Sequence, residues 1–251
     1  MIRSAVAVLS LLSAAMFATT VRAAEVKLLS AGAVEPGVHK VIDAFRAATG
    51  HEVRVLFNTA PAIRKRMAAN EAFDLVIAPP AAMDEFLKDG KVVADSRAGL
   101  GRVGAGITVR TGAARPDVSG VDAFKRALLA ADSVVYNQAS TGLYIEKMLD
   151  RIGIGDAVRP KTTRYGNGES VLVHVIKGSG AEIGMGAITE IRLFEPKGLQ
   201  YVGPLPAEIQ NYTSYDAAVT ANAVAAGPAR DFVRFMTTPD AKRMFAAAGI
   251  E

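Results

Sequence analysis

The chain has no cysteine, no tryptophan and only three histidines in 251 residues. Without cysteine there is no disulfide, no thiolate metal site and no lipid-bearing cysteine. His39, His51 and His174 are scattered, and none has a second histidine at helical metal-ligand spacing. His39 and His174 read as helix-surface or packing residues, and His51, beside a turn, as solvated. No Gly-x-Ser-x-Gly nucleophile elbow occurs. There is also no excess of one charge: 29 Lys and Arg stand against 25 Asp and Glu, a net +4. The surplus is diffuse, and no nucleic-acid partner is expected. Beyond residue 23 no run is long and apolar enough to span a bilayer, which takes about 20 helical residues. Fixed-period repeats and low-complexity tracts are missing as well.

The first residues carry a pattern of their own. Arg3 is followed by a mostly apolar run from Ser4 to Ala18 and a small-residue tail, Thr19 to Ala23. Val21 and Ala23 stand at the −3 and −1 positions of a cleavage site before Ala24. This reads as a secretory signal peptide over residues 1–23. An exported chain without cysteine is expected to reside in the bacterial periplasm, as a soluble monomer.

From there strand and helix patterns alternate. Val26 to Leu29 reads as a buried strand. A helix follows, with Pro36 in its first turn, a stripe of Val38, Val41, Ile42, Phe45 and Ala48, and Gly50 as its stop. Val53–Phe57, Phe73–Ala78, Ile107–Val109, Ser133–Tyr136, Ile183–Gly186 and Tyr212–Thr220 read as further strands. Helices are expected over 62–69, 83–88, 121–130, 143–152, 166–177, 229–237 and 239–248, with Thr238 capping the last. Such alternation implies an α/β fold with mostly parallel sheets flanked by helices. Gly99-Leu100-Gly101-Arg102-Val103-Gly104 matches G-x-G-x-x-G, but a strand-like Ile107-Thr108-Val109 follows instead of a helix. A dinucleotide site needs the helix N-terminus there. The segment reads as a flexible glycine-rich approach to a crossover, and no cofactor is expected.

The candidate chemistry lies at four junctions where small or hydroxyl residues open a helix: Ser30-Ala31-Gly32-Ala33, Asn58-Thr59-Ala60, Ser140-Thr141-Gly142 and Asn167-Gly168-Glu169-Ser170. The first turn of a helix has backbone N–H groups without internal partners and about half a positive charge. An anion satisfies both without any lysine or arginine. Ordinary capping explains any one junction; four acting together require the fold to converge them. Tyr212 and Tyr215, near a second crossover, could face the same place. Arg64-Lys65-Arg66 reads as a solvated basic face.

The stretches VKLLSAGAVEPGVHKVIDAFRAATGHEVRVLFNTAPAIRKRM, FDLVIAPPAAMDEFLKDGKV, YNQASTGLYIEKMLDRIG and AEIGMGAITEI give the chain a likeness along nearly its whole mature length. It resembles the periplasmic solute-binding proteins of ABC transporters, in particular the molybdate-binding-protein-like branch of the two-lobed type II class. The resemblance implies two α/β lobes joined by two crossover segments, here residues 24–104 plus 217–251 and residues 105–216. It implies a small anion held in the cleft by backbone amides and small hydroxyls, and docking of the closed form on a membrane permease. Carried over, the ligand-binding residues are Ser30, Ala31, Gly32, Ala33, Asn58, Thr59, Ala60, Ser140, Thr141, Gly142, Asn167, Gly168 and Tyr215. The chain departs from the molybdate pattern at Ala33, where the family has serine, at Asn58-Thr59-Ala60-Pro61, and at Ala187, where it has a cleft tyrosine. Lost donors change the ligand as well as weakening it, so a small organic acid is as much expected as a molybdate-like oxyanion. A sensor signalling to a membrane receptor is the alternative. With no nucleophile–base pair and no metal or cofactor constellation, no enzyme is expected.

Overall fold

A computed structural model describes residues 23–251; the charged and apolar parts of the expected signal peptide lie outside the described residues. β1 (Glu25–Ala31) pairs in parallel with β2 (Glu52–Asn58) and β3 (Leu75–Ala78). Between them run α1 (Glu35–Thr49), entered through a short 3-10 turn over Gly32–Val34, and α2 (Ala60–Ala68). Val38, Val41, Ile42 and Phe45 of the predicted stripe lie on the buried face of α1, Ala48 in its last turn is exposed, and Gly50 ends the helix in the left-handed conformation at φ 73°. After α3 (Pro80–Lys88) the chain enters the long strand β4 (Ala98–Arg110).

β4 is the hinge of the architecture. From Ala98 to Gly104 it pairs antiparallel with β9 (Tyr212–Val219), and β9 pairs antiparallel with β3. From Ala105 onward its partners are β7 (Glu182–Ala187) and β8 (Leu199–Pro204). β5 (Ser133–Asn137) lies parallel to both β7 and β6 (Thr162–Tyr165). The strand order is β2-β1-β3-β9-β4-β7-β5-β6, with β8 alongside β4. Parallel pairing therefore occupies the two wings, and antiparallel pairing the middle. Covering helices in the second wing are α4 (Val121–Ala130), α5 (Ser140–Arg151), α6 (Gly155–Val158), α7 (Gly168–Lys177) and α8 (Ile188–Phe194). α9 (Ala226–Met236) and α10 (Pro239–Ala247) return to the first, and Thr238 accepts a bond from the Ala241 amide as its cap.

The glycine-rich segment before the crossover is itself strand, not a flexible approach. Gly101 sits at a register shift in β4 with φ 154°, and a Cβ there would meet the Glu251 carbonyl oxygen at 2.7 Å. Glu251 exchanges backbone hydrogen bonds with Arg102 at 2.7 and 3.0 Å. The motif is spent on admitting the end of the chain against β4.

Apolar burial follows the two wings. One core joins residues of 26–103 and 215–250, with Ala187. Two more lie within residues 105–209. In the first, Phe45 of α1 meets Phe232 and Phe235 of α9 at centroid distances of 4.8 and 5.4 Å. His51, expected in solvent, is buried beside this group: its Nδ1 accepts from the Ala24 amide at 3.1 Å and its ring lies 6.0 Å from that of Phe45. The turn folds back onto β1, so the ring is covered. Replacing Phe232, which is fully buried, with alanine is expected to cost about 3–5 kcal/mol in urea unfolding. Leu129→Ala, at a side chain 45% exposed, should stay within about 0.5 kcal/mol.

Candidate functional site

Residues of all four junctions meet, the second of them in full. A cleft between the two wings is lined by Ala31, Gly32 and Ala33 after β1, by Asn58, Thr59 and Ala60 after β2, and by Ser140 and Thr141 after β5; Gly168 and Tyr215 join them. Its walls are completed by Ala187, the position aligned with the family's cleft tyrosine, and by Pro79, Asn137, Ala139 and Glu190, which the sequence reading did not include. The free space is about 40 Å³, close to the ~30 Å³ share of a single water in the liquid. A molecule of more than a few atoms requires the wings to part.

Three expected residues stand outside this lining. Ser30 is fully buried in β1, and its hydroxyl donates to the Ala31 carbonyl at 3.2 Å. The strand's alternation turns it away from the junction. Gly142 lies behind the site, where a Cβ would come within 1.7 Å of the Asn137 carbonyl oxygen; glycine there lets the end of β5 rest on α5. Asn167 is an ordinary cap, accepting from the Ser170 amide at 2.8 Å.

The other helix starts differ in that respect. The turn after Ala31, α2 after Thr59 and α5 after Ala139 have no side-chain cap bond. Pro61 removes one donor from α2. At α5, Asn137 Oδ1 accepts from the Ala139 and Gly142 amides at 3.0 and 3.2 Å. Between those two stand Ser140 and Thr141, both on the cleft wall. Helix starts from both wings thus face one small space, with the α5 start capped by Asn137 only at the Gly142 amide.

The cleft has no cationic side chain in its lining. Arg64 is held by Glu85 through bonds of 2.6 and 3.0 Å, and Arg66 by Glu71 at 2.5 Å. Tyr212 is 41% exposed, with the Arg102 guanidinium 4.3 Å from its ring centroid. Tyr215 is buried; loss of solvent and the nearby Glu190 carboxyl both push its phenol up, so it stays a neutral donor. Among the described residues no group of three or more metal-ligating side chains occurs.

Glu190 is the ionisable group of the site. It lies in the first turn of α8, which Thr189 ties to the other wing by donating to the Ala33 carbonyl at 2.5 Å. A Cβ on Gly168 would approach a Glu190 carboxyl oxygen to 2.3 Å, and one on Gly32 to 3.0 Å. The carboxyl therefore sits between a glycine from each wing. Burial pushes it up to about 7, with Glu35 at the start of α1 adding like-charge repulsion. The sequence signal was present in Ala187-Ile188-Thr189-Glu190, a fifth strand-to-helix junction.

Between about pH 4.5 and about pH 7 the unfolded chain releases this proton while the folded chain keeps it. The stability it carries is complete at the acid end of that window and lost as pH rises through it. Melting temperature should therefore fall across the window, and Glu190→Gln should remove that part of the fall. An unchanged pH profile in the variant would contradict the assignment.

The comparisons with known proteins agree on the fold. The molybdate-binding protein of Azotobacter vinelandii superposes with a TM-score of 0.73 at 15% identity, covering 90% of this chain and 98% of that one. The sulfate-binding protein SubI of Mycobacterium tuberculosis gives 0.74 at 21%, covering 90% and 86%. A protein of Pseudomonas sp named aconitate isomerase is 30% identical over 230 residues, 89% of this chain and 86% of its own. That relative corrects the expectation that no enzyme would be found here. The expectation rested on the lack of a nucleophile–base pair, and it overlooked a lone carboxyl able to carry a proton. The family model for bacterial extracellular solute-binding proteins matches residues 26–251, and the chain belongs to that family.

Proposed function

We propose that this protein captures a small organic acid by closing its two lobes on a carboxylate, in the periplasm, and hands it to an ABC-type permease. The observation that carries the reading is the set of helix starts after Ala31, Thr59 and Ala139 around one space without a cationic side chain. Ala33 and Ala187 offer no hydroxyl, and a protonatable Glu190 suits a carboxylic acid better than a fully ionised tetrahedral oxyanion. Closure is a population shift driven by contacts with both lobes. We place the first crossover at Gly104–Ala105, where β4 changes partners, and the return just before Tyr212 instead of the expected residue 217, because β9 pairs only with β3 and the first half of β4.

A second reading is favoured by Glu190 and by the relative named aconitate isomerase. A carboxyl titrating near 7 at the cleft wall suits general acid–base work. As carboxylate it would take a proton from a carbon next to a bound carboxylate, breaking that C–H bond. The electron pair spreads over the adjoining double bond, which loses its rigid geometry, and the same proton returns to the far carbon of the three-carbon unit. Charge and atoms balance without a cofactor.

A thermal-shift panel tests capture. Aconitate, citrate or tricarballylate at about 100 times Kd should stabilise by about 2.7 kcal/mol, several degrees in Tm. Thr59→Phe should abolish the shift while leaving the unliganded Tm near that of the parent. A response to molybdate and sulfate but to no carboxylate would overturn the reading. For the second, cis- and trans-aconitate are followed by proton NMR. Conversion by the parent and a loss of roughly 10²–10⁴-fold in Glu190→Gln supports it, and no conversion by the parent excludes it for this acid.

A further inference from the structure

At the far end of the second lobe lies a cavity of about 590 Å³, within the range of small-molecule sites. Its floor is apolar, formed by one face of α4 with Ala123 and Ala127 and by Ala113 in the loop after β4. It is separate from the cleft: Ala187 at one end of β7 lines the cleft, and Glu182 at the other end lines the cavity. Five residues of strand between them span roughly 17 Å.

Two polar atoms single this cavity out. Arg110 Nε and Glu182 Oε2 are both buried without a hydrogen-bond partner, and both residues line it. Buried polar groups are nearly always paired, so an orphan donor and an orphan acceptor in one cavity call for an account. β4 and β7 pair Thr108 with Gly184. Continuing that register by two residues sets Arg110 opposite Glu182, on one face of the sheet. Yet no ion pair among the described residues includes Arg110. The other oxygen of Glu182 is occupied, accepting from the Gly180 amide at 2.9 Å. At the rim, Asp117 lies near Arg126 and accepts from the Ser119 amide. Arg115 and Arg126 line the cavity too, Arg115 donating to the Val202 carbonyl, so the buried atoms without a partner are those of Arg110 and Glu182, beside an apolar floor.

We infer that this cavity is a second ligand site, for a zwitterionic α-amino acid with an apolar side chain. Its carboxylate accepts from Arg110 and its ammonium donates to Glu182 once these covered groups turn toward the cavity, and its side chain covers Ala123 and Ala127. A fatty acid would leave Glu182 unpaired, and an amine would leave Arg110 unpaired. The inference does not rest on the reading of the cleft.

Isothermal titration with leucine tests it, with hexanoate and isoamylamine as probes that each lack one charge. The parent and Thr59→Phe, whose cleft is blocked, should bind leucine alike and bind the two probes at least about tenfold more weakly. Arg110→Gln and Glu182→Gln should each weaken leucine by about tenfold or more, with Tm showing that both are folded. Ala127→Trp, filling the floor, should remove binding, and the two charge variants decide the matter if it does not fold. Hexanoate binding as tightly as leucine, binding lost in Thr59→Phe, binding unchanged in both charge variants, or no heat with leucine at any concentration reached would each overturn the inference.

Discussion

The first turn of a helix cannot satisfy its own amides, and this structure repeats that deficit on both sides of one cleft. At α7 the deficit is closed locally by Asn167. After Ala31 and Thr59 no side chain closes it, and after Ala139 Asn137 takes the Gly142 amide but not those of Ser140 and Thr141. The surrounding residues follow from that choice. Small side chains at Gly32, Ala33 and Ala60 allow close approach to backbone, and the basic side chains of α2 are held by Glu85 and Glu71 outside the cleft lining. An electropositive space built from peptide groups needs no side chain to change charge when the lobes close.

Glu190 supplies what the amides lack, a proton that can move near neutral pH. Its position depends on glycine at two places, Gly32 in one wing and Gly168 in the other, since a methyl group at either would crowd the carboxyl. α8 carries it and is itself bonded to Ala33 across the cleft. The group that brings chemistry to the cleft thus stands on the element that links the wings. A solute-binding scaffold carries here a buried carboxyl at the wall of its cleft, and family and activity are separate questions for this chain.

Most of the architecture was legible in the sequence, because α1, α4, α9 and α10 carry clean apolar stripes and β1 and β3 are short apolar runs. Three junctions were legible for the same reason: small residues between a strand and a stripe mark a helix start. β6 was missed because Thr162-Thr163-Arg164-Tyr165 is half-buried along its length and shows no alternation. β4 was read too short, since glycine at positions 99, 101, 104 and 106 hides a strand; at the last three the end of the chain and Ile188 crowd the place of a Cβ. Ser30, Gly142 and Asn167 belonged to the right segments but face strand core, helix packing and a cap. Glu190 was passed over because a carboxylate seems out of place in an anion site, and only the fold shows that it stands between two glycines.

The most direct test is an amide-resolved NMR titration of the protein with tricarballylate. The account predicts that the N–H signals of Gly32, Ala33, Ala60, Ser140 and Thr141 move downfield together and saturate at one affinity, while Ser170, whose amide is already bonded to Asn167, stays in place. Shifts concentrated on arginine and lysine side chains, with those five amides unmoved, would contradict it.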